Sequence, residues 1–245
     1  MKSSIERLKG KRALVTGATG GIGKAIVGAF VDVGIKVIAA GQNPQKLSEL
    51  SGQFPGIIIE RVNFKSAEEV FRLADASLKH FDGLDILVNN AGIGVTGNVT
   101  DMEIKDFDST IDIDLRAPFI LAKVIGKAMA LAGSGHIINL GSGASYTPIA
   151  GMAAYCAAKY GLLGFSESLA LELRNFGVKV TIIMPGSTAT NFGGGNTDKR
   201  LKDKPGILLP EDVADTVMYI LKQSGRAWSS QVNLRPLNPN KQPYF

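Results

Sequence analysis

Arg12-Ala-Leu-Val-Thr16 runs directly into Gly17-Ala-Thr-Gly-Gly-Ile-Gly23, and Ile22, Ala25, Ile26, Ala29 and Phe30 then recur at helical spacing. The continuous apolar run reads as a buried strand and the periodic set as the apolar face of a helix. Strand, glycine turn and helix therefore follow one another without a gap. Closely spaced glycines let a backbone approach a pyrophosphate, whose charge is stabilised by free amides and by the dipole at a helix N-terminus. A tight connection is the plain alternative, but the flanking strand and helix favour nucleotide binding.

The same alternation extends outward. Apolar runs at 35–40, 57–62, 85–89, 135–140, 178–184 and 231–235 read as further strands. Helical patterns fall around Leu47 and Leu50 and over 67–78, 101–132, 152–175 and 210–223. Pro118 lies inside the 101–132 pattern and should kink or restart that helix. Alternation of this kind implies an α/β fold, a doubly wound, Rossmann-type parallel sheet of about seven strands with helices on both faces. Ligands of such sheets bind at the carboxyl ends of the strands, beside the point where the winding reverses. Gly17 to Gly23, Asn89 to Gly92, Ser142 and Pro185-Gly186 all follow strands and would line one crevice.

With 245 residues, 45% of them hydrophobic, the chain can bury one sizeable core, so a single domain over 1–245 is expected. Residues 190–208 are polar and glycine-rich enough for a mobile substrate loop, with a plain disordered loop as the alternative. Residues 236–245 form an extended tail, in which Tyr244 and Phe245 lie across a neighbour or fray. The net charge of +5 is scattered and aromatic residues make up only 7%, which argues against a nucleic-acid partner. The lone Cys156 excludes an intramolecular disulfide and reads as a packing residue. His80 and His136 have no cluster of further ligands, so no metal is expected. No run is long and apolar enough for a membrane span and no leader pattern opens the chain, so a cytoplasmic protein is expected.

Tyr155-Cys-Ala-Ala-Lys159 places a phenol and an ammonium four residues apart, on one face of a helix. A free tyrosine titrates near pH 10, and a fixed positive charge beside it favours the phenolate, which makes it a usable acid-base. Ser142, at the end of a strand between Gly141 and Gly143, can face that phenol across a cleft.

Taken together, Thr16-Gly-Ala-Thr-Gly-Gly-Ile-Gly23, Asn89-Asn-Ala-Gly92, Ser142, Tyr155 with Lys159, and Pro185-Gly-Ser-Thr-Ala-Thr190 resemble the short-chain dehydrogenase/reductase family, from the first strand to about residue 235. The resemblance implies a nicotinamide cofactor and hydride transfer to or from a carbonyl or secondary alcohol. Tyr155 would pass the proton, Ser142 would hold the substrate oxygen, and Lys159 would bind the nicotinamide ribose. It also implies cofactor contacts from Gly17, Thr19, Gly21, Ile22 and Gly23, from Gly41 and Gln42, from Asn63 and Phe64, and from Asn90, Ala91 and Gly92. Tyr155, Lys159, Pro185, Gly186, Thr188 and Thr190 complete that set. A homodimer or homotetramer is implied as well, and the helix from Met152 carries Leu162, Leu163, Phe165, Leu169 and Leu173, more apolar surface than one sheet face needs.

Three positions depart from the family pattern. Asp114 stands where a fourth catalytic member is usually Asn, and it would pair with Arg116 or Lys159. Gly41 offers no carboxylate to repel a 2′-phosphate and Gln42 or Asn43 can donate to one, so NADP is expected over NAD, although no anchoring Arg is evident. Asn63 replaces an Asp that meets the adenine amino group, and its side-chain oxygen can still accept. The run 143–153 is small and apolar apart from Ser145, Tyr146 and Thr147, so no strongly charged substrate is expected. A non-catalytic nucleotide-sensing or scaffold protein is the alternative, favoured only by Asp114. A lyase or epimerase is a third reading, disfavoured because no added substrate domain is visible.

Overall fold

In β1 (Arg12–Thr16), Leu14 faces one side of the sheet and Ala13 and Val15 face the other, and all three are completely buried. Side chains alternate along a strand, so burial on both sides demands cover on both sides. In the computed structural model, which describes residues 5–241, helices supply that cover. The chain continues as α1 (Gly21–Asp32), β2 (Lys36–Gly41), α2 (Pro44–Gln53), β3 (Ile58–Arg61), α3 (Ala67–Phe81) and β4 (Ile86–Asn89). Then follow α4 (Ile104–Ile111), α5 (Ala117–Leu131), β5 (Gly135–Leu140), α6 (Ala153–Leu173) and β6 (Val178–Pro185). The last elements are α7 (Thr197–Asp203), α8 (Pro210–Lys222) and β7 (Gln231–Leu234).

The seven strands lie in the order β3-β2-β1-β4-β5-β6-β7, each paired parallel to its neighbours. Val70 and Leu73 of α3, Leu121 and Ile125 of α5 and Leu169 of α6 bury the Leu14 face. Ile26 and Phe30 of α1, with Val213 and Val217 of α8, bury the other. The winding reverses between β1 and β4, which opens a crevice at their carboxyl ends. The doubly wound parallel architecture expected from the alternation is therefore the one observed.

Element boundaries differ from the sequence reading where side chains have other work. The fourth strand begins at Ile86 because the Asp85 carboxylate accepts from Lys11 Nζ at 2.9 Å, from the Arg12 amide at 2.9 Å and from Arg12 Nε at 2.8 Å. The third strand is shorter than 57–62, and α6 ends at Leu173 in a tighter turn over Arg174–Phe176. The expected interruption near Pro118 lies just before it. Asp112–Arg116 forms a π-helical turn, and the Ala117 amide donates to Asp112 O. Proline has no amide to donate and its ring crowds the carbonyl four residues back, at Asp114, and the widened turn meets that position.

The apolar residues of α6 divide between core and surface, with Leu171 59% exposed. Leu162 and Leu169 are buried, and Leu163, Phe165 and Leu173 pack partly against the core. The segment 190–208 holds a short turn at Phe192–Gly194 and α7, and it is tied to the chain behind it by a bridge between Thr188 and Leu208. The tail packs back on this segment through Gly206 N donating to Pro239 O at 3.1 Å, while Tyr244 and Phe245 lie outside the described residues. Among the described residues no helix is long and apolar enough to cross a membrane.

Candidate active site

Gly17 leaves β1 in the left-handed region at φ 62°, and a β-carbon there would stand 2.8 Å from Ala91 Cα. One at Gly23 would overlap the Gly17 carbonyl oxygen. Only glycine fits at these two points, so the turn lies flat against the end of β4. Asn90 fastens it: Nδ2 donates to Thr16 O at 2.9 Å and Gly17 O at 3.1 Å. The Thr16 hydroxyl oxygen in turn accepts from the amides of Asn90 and Ala91 at 2.9 and 3.0 Å. Gly20 caps α1 with no side chain over its amides.

Above this turn lies a cavity of about 310 Å³. Gly17, Thr19, Gly21, Ile22 and Gly23 line it, with Gly41 and Gln42 from β2 and Phe64 beyond β3. Asn90, Ala91 and Gly92 line it after β4, Tyr155 and Lys159 from α6, and Pro185 and Thr190 after β6. A second cavity of about 400 Å³ is lined by Ser142, Gly186 and Thr188 and shares Tyr155, Pro185 and Thr190 with the first. Asn63 lines neither. It stands further out in a third hollow with Gln42, where its Oδ1 accepts from the Lys65 amide at 3.2 Å. Asn43 is likewise occupied, capping α2 by accepting from the Lys46 amide at 3.0 Å.

Tyr155 and Lys159 are both buried, with Lys159 Nζ 5.6 Å from the centre of the phenol ring. Nζ donates to Leu140 O at 2.9 Å and stands 3.2 Å from Asp114 Oδ2. The other Asp114 oxygen accepts from the Ile93 amide at 2.8 Å. Asp114 thus pairs with Lys159, and Arg116 pairs with Asp112. Burial pushes the Asp114 carboxyl above the usual carboxylate range, against the pull of Lys159 and of the Ile93 amide. Burial also opposes charge on Lys159, but Asp114 and then Tyr155 outweigh it and hold the ammonium above the ordinary lysine value. Ser142 lies two residues beyond β5 in an extended conformation, capping a short turn with its Oγ accepting from the Ala144 amide at 3.2 Å.

Several residues around the site, Asn139 and Ser166 first among them, had no signal in the local sequence. Asn89 Nδ2 donates to Asn139 Oδ1 at 2.8 Å, and Asn139 Nδ2 donates to Ser166 Oγ at 2.8 Å, a buried chain joining β4, β5 and α6. The Phe192 ring packs 5.6 Å from that of Tyr155. Arg61 pairs across the sheet with Gly41 and lines the hollow that contains Gln42. Arg200 and Arg235 line the cavity that holds Ser142, and they bear on the expectation that the substrate carries no strong charge. That expectation considered only 143–153, and these arginines arrive from distant elements. Cys156 is a buried packing residue, and His136 is buried with Nε2 2.9 Å from Thr181 Oγ1. Among the described residues no cluster of metal-binding side chains occurs.

The family model for short chain dehydrogenases matches residues 11–201. The chain belongs to that family. The D-threitol dehydrogenase of Mycolicibacterium smegmatis is 34% identical over 225 residues, covering 87% of this chain and 86% of the relative. An uncharacterized oxidoreductase of Staphylococcus aureus strain USA300 is 32% identical over 94% of this chain and 99% of its own. Among solved structures, a metagenomic short-chain oxidoreductase in complex with NADP superposes with a TM-score of 0.82 at 33% identity, over 96% of this chain and 99% of that one. A closed serine dehydrogenase complexed with NADP+ gives 0.86 at 27% identity, over 96% and 97%. The chain is accordingly an oxidoreductase of the short-chain dehydrogenase family.

Proposed function

We propose that this dehydrogenase uses NADP and interconverts a carbonyl compound and a secondary alcohol, with Tyr155 as the general acid-base. The observation that carries the proposal is the place of Tyr155 on the wall shared by the glycine-turn cavity and the Ser142 cavity. A phenol in that position reaches a nucleotide-sized space on one side and a substrate-sized space on the other.

The residues present fit the cofactor. The flat glycine turn and the uncapped amides of α1 suit a pyrophosphate, and Ala91 and Gly92 leave room beside it. Gln42 and Arg61 would meet a 2′-phosphate at the outer end, in a hollow also lined by Glu68 and by Glu60 and Glu69, which are paired with His80 and Arg72. When bound, NADP supplies the hydride donor or acceptor. The chain's own residues do the rest. The Ser142 hydroxyl orients the substrate oxygen, and the Tyr155 hydroxyl gives it a proton in reduction and removes one in oxidation. The buried Lys159 ammonium stabilises the phenolate that results, and Asp114 with Leu140 O holds Lys159 in place. Two copies or four are proposed for the assembly, supported by exposed Ile104, Phe107 and Phe119 on α4 and α5.

The test follows NADPH absorbance against a panel of carbonyl compounds. Turnover that is lost in Tyr155→Phe, with NADPH binding retained, supports the proposal. A wild type that binds NADPH and consumes it with no member of the panel refutes it.

A further inference from the structure

We infer that the substrate carries an oxyanion, a carboxylate or a phosphate, beside its reacting carbon, and that Arg235 and Arg200 hold it; the inference rests on the dehydrogenase reading above. The Ser142 cavity is lined by these two guanidinium groups and by no aspartate or glutamate. Neither arginine makes an ion pair among the described residues.

Both cations are fixed to the residues that flank the proton-transfer pair. The Arg235 side chain passes Gly186, with Cδ 3.6 Å from where a β-carbon of that glycine would be, and its guanidinium lies 5.1 Å above the Tyr146 ring. Its Nη1 is 3.8 Å from the corresponding point on Gly143, the residue after Ser142. A guanidinium held over a ring face spends none of its N–H donors there. Arg200 commits one donor, Nη2 to Phe192 O at 2.7 Å, and the Phe192 ring packs on Tyr155. A planar fork with donors to spare matches an oxyanion in two-point contact, which a neutral polyol cannot offer.

The cofactor does not account for these charges. Neither arginine lines the glycine-turn cavity or the hollow beside Gln42, where the phosphates of a dinucleotide would lie. They face the compartment left for the substrate. The anion takes no part in bond making there; it fixes which carbon stands against Tyr155.

The experiment is calorimetric titration of the Tyr155→Phe protein saturated with NADP+, a variant that stops turnover, with short hydroxy acids, phosphate monoesters of short diols and the neutral diols of matching length. A hydroxy acid or a phosphate ester should bind about tenfold tighter than its neutral counterpart, and adding Arg235→Gln should erase that advantage while Arg200→Gln reduces it. Preference for one anion over the other identifies the carboxylate or the phosphate as the group bound. Equal or tighter binding of the diols, or an anion preference that survives both substitutions, overturns the inference. A parallel assay of NADPH formation by the wild type separates the two readings. Oxidation of neutral diols with no anion preference sinks the inference alone; a preserved anion preference with no NADPH from any compound leaves the anion site standing and sinks the dehydrogenase reading.

Discussion

Acidification should cost this protein stability through a single buried histidine, beginning as the pH falls below about 6.5. His136 lies in β5, buried beneath the cover of both neighbouring strands. Thr181 donates its hydroxyl proton to Ser229 O at 2.7 Å, so toward His136 its oxygen accepts, and Nε2 of the imidazole, 2.9 Å away, must carry the hydrogen. That donor fits the neutral ring, and a second proton would enter a dry site near Lys179. Burial first, and the Lys179 charge second, push its pKa from the ordinary 6.5 down to about 3. A depressed folded pKa means that stability is complete above 6.5 and is lost as pH falls toward the folded value.

Each unit in that window costs about 1.4 kcal/mol, so two units cost about 2.7 kcal/mol and the full window about 5 kcal/mol. That is a large share of the roughly 5–15 kcal/mol by which domains are stable. Asp85 is held below the usual carboxylate range although burial opposes this, because Arg12 and Lys11 bind it, so its loss comes only below about pH 4. Urea midpoints of the wild type and His136→Gln, compared between about pH 7.5 and pH 4.5, should diverge by about 2–3 kcal/mol, with the glutamine protein the less acid-sensitive. Parallel curves for the two proteins would refute the reasoning.

Asp114→Asn keeps an acceptor for the Ile93 amide, leaves Leu140 O holding Lys159 and removes a negative charge that offsets the Lys159 field at Tyr155, so turnover should equal or exceed that of the wild type; a collapse in kcat across the pH range would reject this view of Asp114. Arg61→Ala should raise KM for NADPH by about tenfold and leave KM for NADH unchanged, as steady-state kinetics with both nucleotides will report. Asp85→Asn weakens the hold on Lys11 and Arg12 and should lower stability by about 1–3 kcal/mol by denaturant titration without altering kcat.

What could be read from the chain alone was whatever neighbours in sequence decide. The glycine turn, Asn90-Ala-Gly92 and the Tyr155–Lys159 pair each consist of residues a turn or less apart, and each stands where local spacing put it. The parallel sheet followed from alternation, because continuous apolar strands need cover on both faces. Arg61, Arg200 and Arg235 escaped notice because each is unremarked locally and acquires meaning only when topology brings β3 beside β2 and α7 and the end of β7 around Ser142. The π-helical turn was legible only as a disturbance near Pro118, since a proline marks that hydrogen bonding must change and not how. The leucines of α6 exceed what one sheet face needs because this long helix meets both β6 and its helical neighbours and still leaves Leu171 exposed.

The buried amide chain from Asn89 through Asn139 to Ser166 locks the floor of the nucleotide site to the helix that bears Tyr155. Those parts can drift only together, and any change in one is felt by the others. The stretch between β6 and α8 is held by surface ties instead, the bridge from Thr188 to Leu208, the Gly206 amide on Pro239 O and the Phe192 ring against Tyr155. Natural variation in substrate preference therefore has its open road there, and the machinery of proton exchange can stay untouched while tastes change.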